Sequence, residues 1–201
     1  MSLSYSGGSV SLTGALAARQ VRASLAGQES LSGALPADDH LGATVAAAQE
    51  GDEAAFCMLY RSLHPQLLLY THALVGPALA DGVQSRSWEY IARNLAKFQG
   101  DGADFRGWCA LVVRTRALEH PCRNDRRPPD GDEATRPAER ALSLIARLPQ
   151  EQAEALLLLV VVRLDLRQAA AVLGRRTRTV RAAAHRGMRG LAKLLGDTGA
   201  L

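Results

Sequence analysis

Aromatic residues are scarce, at 4% of the 201-residue chain, and no stretch alternates apolar and polar residues as a half-buried strand does. Sheets draw heavily on aromatic and β-branched side chains, so this scarcity argues against a strand-built core. Cysteine is rarer still, at three residues. Cys57, Cys109 and Cys122 are widely spaced and form no disulfide framework, CxxC pair or zinc pattern. Reduced thiols acting as small apolar fillers are the expectation. No apolar run approaches the length of a membrane span, roughly 20 residues; Ala155 to Val162 is apolar but short. The N-terminus lacks a basic start followed by an apolar core, so no secretory signal is expected and the expected location is cytoplasmic.

The marks of catalysis are missing too. The sequence offers no clustered acids for metals, no phosphate-cradling glycine loop and no nucleophile–base pairing, so neither an enzyme nor a cofactor is expected. His64, His72 and His120 have no partners at metal-ligand spacing, and His40 lies in an N-terminal arm. Glu151 and Glu154 fall near a helix start, where the helix dipole favours acids, and a paired-carboxylate role is not expected.

Alanine, leucine and arginine dominate instead, and 47% of residues are hydrophobic, a composition suited to packed helices. The formal net charge is +4, which alone says little about partners. Its placement says more. Between Arg163 and Lys193 stand Arg167, Arg175, Arg176, Arg178, Arg181, Arg186 and Arg189, against a single acid, Asp165. A second basic stretch holds Arg114, Arg116, Arg123, Arg126 and Arg127, while acids gather at Asp38, Asp39, Glu50, Asp52 and Glu53. Two separated basic surfaces suit a long anionic ligand.

The pattern along the chain predicts an all-α protein of two small helical domains joined by a flexible linker. Residues 1–40, rich in Ser, Gly and Ala, read as a disordered extension. Residues 41–124 carry helical periodicity, with Asp52 a plausible N-cap, a bend expected at Pro65, a stop at Gly76-Pro77, and segments over 78–97 and from 104 onward that ends before Pro121. Residues 125–137, with paired prolines and mixed charge, read as the linker. A second domain over 138–195 opens with a helix to Arg147, continues from Pro149 to Val162, and closes with helices over 166–173 and 177–195; a tail spans 196–201.

The last two helices read as a helix-turn-helix. The first is LRQAAAVL, Gly174 supplies the left-handed residue of the turn, and Thr177 is placed to cap the second helix. Val180, Ala184, Met188, Leu191 and Leu195 then form an apolar stripe at steps of three and four, leaving Arg178, Arg181, His185, Arg186 and Arg189 on other faces. Such a helix can enter the major groove, where arginine bonds guanine bidentately and further cations hold phosphates. A solvated arginine face on an ordinary bundle helix is the plainer alternative.

The string LPQEQAEALLLLVVVRLDLRQAAAVLGRRTRTVRAAAHRGMRGLAKLL, residues 148–195, resembles region 4 of extracytoplasmic-function (ECF) RNA polymerase sigma factors of the sigma-70 family. The first domain resembles their region 2, through Gly51-Asp52-x-x-Ala55-Phe56-x-x-Leu59-Tyr60 and Phe105-Arg106-x-Trp108. The resemblance implies a promoter-specificity subunit that binds the β′ clamp and β flap of core RNA polymerase and leaves all chemistry to it. By position, Arg181, Ala182, His185 and Arg186 would face bases of the minus-35 element, and Arg176, Arg178, Thr179 and Arg189 would grip phosphates. The helix bearing Arg114, Thr115, Arg116 and Glu119, with Arg123 after it, would open the minus-10 element and hold flipped bases. An anti-sigma factor is a further implied partner.

The family's acidic DxxQ[ED] signature on the clamp-docking helix is incomplete. Asp81 and Gln84 keep its spacing, Ser85 replaces the acid, and Gly82 weakens the helix. Trp88, Trp108, Phe56, Phe98 and Phe105 read as core residues before base-stacking ones, since scarce aromatics usually anchor cores.

Overall fold

The computed structural model describes residues 38–120 and 137–198. The described residues are helical throughout and contain no strand. In chain order they form α1 (Asp38–Gln49), α2 (Glu53–Val75), α3 (Pro77–Asn94), a 3-10 turn (Leu95–Lys97) and α4 (Gly102–Leu118), then α5 (Pro137–Ala146), α6 (Gln150–Leu156), a π-helical turn (Leu157–Val161), α7 (Leu166–Leu173) and α8 (Thr177–Thr198). Residues 1–37 of the expected extension, most of the linker, the last residues of the tail, Arg123 and Cys122 lie outside the described residues, while residues 38–40, expected in that extension, are the first of α1.

The first four helices form one bundle. Asp52 caps α2, its carboxylate accepting from the amides of Ala54 and Ala55 at 2.8 and 3.1 Å. Gly51, at φ 97°, makes the sharp turn before it. The helix runs on through Pro65 and buries a stripe of Leu59, Leu63, Leu67 and Tyr70. Gly76, at φ 78°, breaks it and Pro77 starts α3, as the Gly-Pro pair predicts. Helix α4 opens on a reciprocal capping box between Asp101 and Asp104. Phe105, Cys109, Ala110 and Val113 on α4 are all 0% exposed, which makes it the bundle's central helix. Each large side chain buried so completely contributes roughly 1.5–3 kcal/mol.

The second unit departs from expectation at its middle. A single helix from Pro149 to Val162 is expected, but after Leu156 the chain widens into a π turn, closed by bonds from the amides of Val162 to Leu157 O and Leu164 to Leu158 O. Arg163 then takes a left-handed conformation (φ 62°), where glycine is usual. Asp165 and Gln168 form a second capping box at the start of α7, and Gly174 (φ 61°) ends it as the sequence implies. Arg176, not Thr177, holds the cap position of α8: its carbonyl accepts from the amide of Val180, and Thr177 is already helical.

The buried face of α8 also differs. Its deepest line is Val180, Ala183, Gly187 and Leu191, while Ala184 and Met188 are half-buried. The reason is a close approach to α6 and the residues before it. A Cβ built on Gly187 would stand 2.8 Å from Leu156 Cδ1 and 3.2 Å from the Gln152 carbonyl oxygen; one on Gly190 would meet Leu148 Cδ2 at 2.7 Å.

One substitution therefore has opposite signs at two glycines. Gly82→Ala, with only the tip of Arg86 near at 3.8 Å, gains helix propensity and is expected to stabilise by up to about 1 kcal/mol. Gly187→Ala gains the same propensity but overpacks the contact by about 1–3 kcal/mol, so a net loss of stability is expected. Thermal melts of both variants check this; an unchanged or raised midpoint for Gly187→Ala contradicts the close seating.

Candidate nucleic-acid interface

Because α8 is held to α6 by small residues, its long side chains stand outward. Arg176, Arg178, Thr179, Arg181, Ala182, His185, Arg186 and Arg189 are all exposed, on α8 or at its cap. Arg175 pairs with Glu151 at 3.2 Å, both side chains more than half exposed, a contact worth little in water. The arginine face is thus continuous, wet and presented by a rigid helix next to a tight turn.

The first bundle's predicted site residues divide between two environments. Thr115 is exposed and its hydroxyl donates to the Leu111 carbonyl at 2.8 Å. Arg116 pairs with Glu119 at 3.0 Å, and its guanidinium lies 5.1 Å from the Tyr90 ring centroid. Exposed Leu111 and Leu118 flank this polar group on α4. Arg114 faces the other way. Its Nε and a terminal nitrogen both donate to Glu154 Oε2 at 3.3 Å, across the two helical units.

Glu154 is therefore more than a helix-start acid: it is 5% exposed and carries this inter-unit ion pair. No periodicity flags it, because its burial comes from the other unit. The Tyr70 hydroxyl lies buried beside the pair. Burial raises its pKa, the Glu154 charge adds to that, and the Arg114 charge opposes it. A cavity of about 300 Å³ opens beside the pair, lined by Arg114, Glu154, Arg175, Thr179 and Ala183 among others.

The docking pair separates as well. Asp81 is exposed on α3, as are Ser85 and Arg86. Gln84 is 2% exposed and donates to the Thr71 hydroxyl at 2.8 Å, so it fixes α3 against α2 and presents no surface. Among the aromatics, Phe105 and Trp88 are buried, Phe98 packs on Phe105 and Trp108 with centroids 5.3 Å from each, and Phe56 meets Trp88 edge-on. Of the cysteines, Cys109 fills the core, where burial pushes its thiol pKa up. Cys57 is exposed, and so is no filler. Among the described residues no group of His, Cys, Asp and Glu is arranged to hold a metal ion. No helix among them is long and apolar enough to cross a membrane.

Against known families, residues 138–191 match the one described as "Sigma-70, region 4". The carboxy-terminal unit is a sigma-70 region 4 domain. Region 4 is a DNA-binding helix-turn-helix of transcription initiation and is not enzymatic. Over both units, the fold is that of CnrH, an ECF sigma factor, as solved in complex with the cytosolic domain of CnrY: TM-score 0.62 and 21% identity, covering 80% of this chain and 99% of that one. A chain from the structure of the RsbN–BldN complex aligns at 25% identity over 75% of this chain and 98% of that one, with TM-score 0.36. No curated protein matches the chain.

Two half-buried histidines of the first bundle give it a pH dependence. Burial lowers the pKa of both His64 and His72 from 6.5, with the Asp81 charge opposing. The unfolded chain takes up these protons near pH 6.5 and the folded chain does not, so their contribution to stability is full above that pH and is lost as pH falls below it. The thermal midpoint should therefore drop between pH 7.5 and 5.5, and a His64→Gln/His72→Gln double variant should flatten the drop. An unaltered slope in the double variant contradicts the assignment.

Proposed function

We propose that the chain is an ECF-type sigma factor that binds core RNA polymerase and directs promoter-specific initiation. The observation that carries the reading is the rigid, exposed arginine face of α8 in a region 4 domain, paired with a second helical unit bearing its own basic helix. In this reading the domains run as 41–124 (region 2), 125–137 (linker) and 138–195 (region 4). Arg181, Ala182, His185 and Arg186 read minus-35 base edges, with Arg176, Arg178, Thr179 and Arg189 on phosphates. Thr115, Arg116, Glu119 and Arg123, and Arg114 once released, engage the minus-10 element, whose unstacked bases a mixed polar and apolar helix face can hold. Asp81 meets the β′ clamp and region 4 the β flap. The protein acts in the cytoplasm, and an anti-sigma protein is the natural regulator; CnrH was solved with such a cytosolic partner domain.

A second reading, a sigma-like DNA-binding regulator with weakened core binding, is favoured by the α3 surface. Gln84 is buried, Ser85 stands where the signature has an acid, and exposed Arg86 adds a positive charge beside it. Ser85→Glu separates the two: a large gain in affinity for core supports the regulator, and little change supports the sigma factor.

Two outcomes test the leading reading. With cognate core polymerase and pooled genomic fragments, the purified chain should drive initiation at a defined set of sites; tight DNA binding without initiation contradicts it. On such a site, Arg181→Ala should cost about 1–3 kcal/mol and relax specificity at one base pair, whereas Arg189→Ala should weaken all sequences alike and lower the salt slope by about 1. Equal behaviour of the two variants contradicts the division into base-reading and phosphate-holding residues.

A further inference from the structure

Helix α8 is pressed against α6 at Gly187 but leaves a hollow nearer the turn. At Gly187 there is no room for a methyl group, with Leu156 Cδ1 2.8 Å from where it would stand. Nearer the turn, Thr179, Val180 and Ala183 carry short side chains and line the cavity of about 300 Å³. That volume is the lower end of the range for small-molecule sites, roughly 300–1,000 Å³. Arg114 reaches the cavity from α4; its other described lining residues belong to the second unit.

The charged groups of this hollow come as two ion pairs of unlike character. Arg114 and Glu154 are paired at 3.3 Å with side chains 22% and 6% exposed, and Gln150 donates to the second carboxylate oxygen at 3.0 Å. That pair is committed, since parting it would strand a charge away from water. Arg175 and Glu151 are paired at 3.2 Å with side chains 59% and 63% exposed. Water screens their contact, so an incoming molecule can part it at little cost. Leu173, Val180 and Ala183 supply an apolar wall beside them.

The charges of the hollow sum to zero, two guanidinium groups against two carboxylates. A plain anion drawn to Arg175 would also face Glu151 and Glu154. A plain cation drawn to Glu151 would face both arginines. A small molecule carrying one charge of each sign meets neither penalty, and an apolar body gives it a use for the wall. We propose that the hollow binds a free α-amino acid with an aliphatic side chain. Its carboxylate meets Arg175, its ammonium group meets Glu151, and its side chain lies on Leu173, Val180 and Ala183. Seated there it crowds Thr179, and so competes with nucleic acid for the first turn of α8. The phosphate contact of Thr179 rests on the reading under Proposed function; the site itself does not.

Calorimetry and thermal melts on the full-length chain test the site, with L-leucine as the probe. Isocaproate, which lacks the ammonium group, and isopentylamine, which lacks the carboxylate, are the comparison ligands. Leucine should saturate one site per chain and raise the thermal midpoint, because a ligand of the folded state alone stabilises it. Each comparison ligand should bind about tenfold more weakly or worse, the worth of one hydrogen bond to a charged group. Glu151→Gln and Arg175→Gln, both at exposed positions, should each weaken leucine binding about tenfold. Glu89→Gln, exposed on α3, should leave it unchanged. Circular dichroism checks that each variant keeps its helix content. Saturating leucine should lower affinity for a mixed-sequence duplex about fivefold or more, the lower end of typical coupling between sites. No saturation by about 10 mM overturns the site, and isocaproate binding as well as leucine contradicts the zwitterion. Saturation with unchanged duplex affinity rules out the competition at α8. Calorimetry needs neither polymerase nor DNA, so failure to initiate transcription leaves this result readable.

Discussion

Helix α8 comes so near its neighbour that a single methyl group at Gly187 would press on Leu156 and the Gln152 carbonyl. Close-packed interiors cannot absorb such an intrusion without shifting backbone or rotamers. The contact fixes the rotation of α8 about its own axis: with Ala183, Gly187 and Leu191 turned inward, the arginines have no direction left but outward. Gly174 fixes the angle between α7 and α8 by adopting the left-handed conformation at the turn. Shape inside and charge outside are thus one decision, taken by glycine and alanine.

The same economy explains why the unit reads as a DNA-binding element and not as a decorated bundle helix. A solvated charge face needs no rigid seat, and its arginines commonly find acids one turn away. On α8 the acids that would neutralise Arg178, Arg181, Arg186 and Arg189 are absent from the sequence, and in the structure those residues stay exposed. Glu151 takes up Arg175 at the margin only. The first unit treats its arginines differently: Arg116 is steadied by Glu119 and Tyr90, and Arg114 is held by the opposite unit. One basic surface is open and the other is partly closed.

How much of this the sequence discloses follows from the range of each interaction. Local devices are legible: the Asp52 cap, the Gly76-Pro77 break, the α7 boundaries and the Gly174 turn all act within one or two turns of chain, and all fall where expected. The arginine side of α8 is legible because charge bias survives any small rotation of the helix. Its buried line is less so, since Gly187 ranks low on any hydrophobic pattern and is buried only because α6 comes near. The π turn at 157–161 hides within a uniformly apolar run, where no period marks a register change. Glu154 and Gln84 escape for a common reason. Each is a polar residue on an apparently ordinary helix, and each is buried by a partner far away in sequence, Arg114 in one case and Thr71 in the other.

The central claim is that α8 lies on duplex DNA while α4 meets opened DNA in the same complex. A photo-crosslinking side chain placed at Arg186, and separately at Thr115, in the chain assembled with core polymerase on DNA tests it most directly. The account predicts crosslinks from position 186 to an upstream double-stranded segment, and from position 115 to one strand of the melted segment downstream. Crosslinks from both positions to protein alone would contradict it.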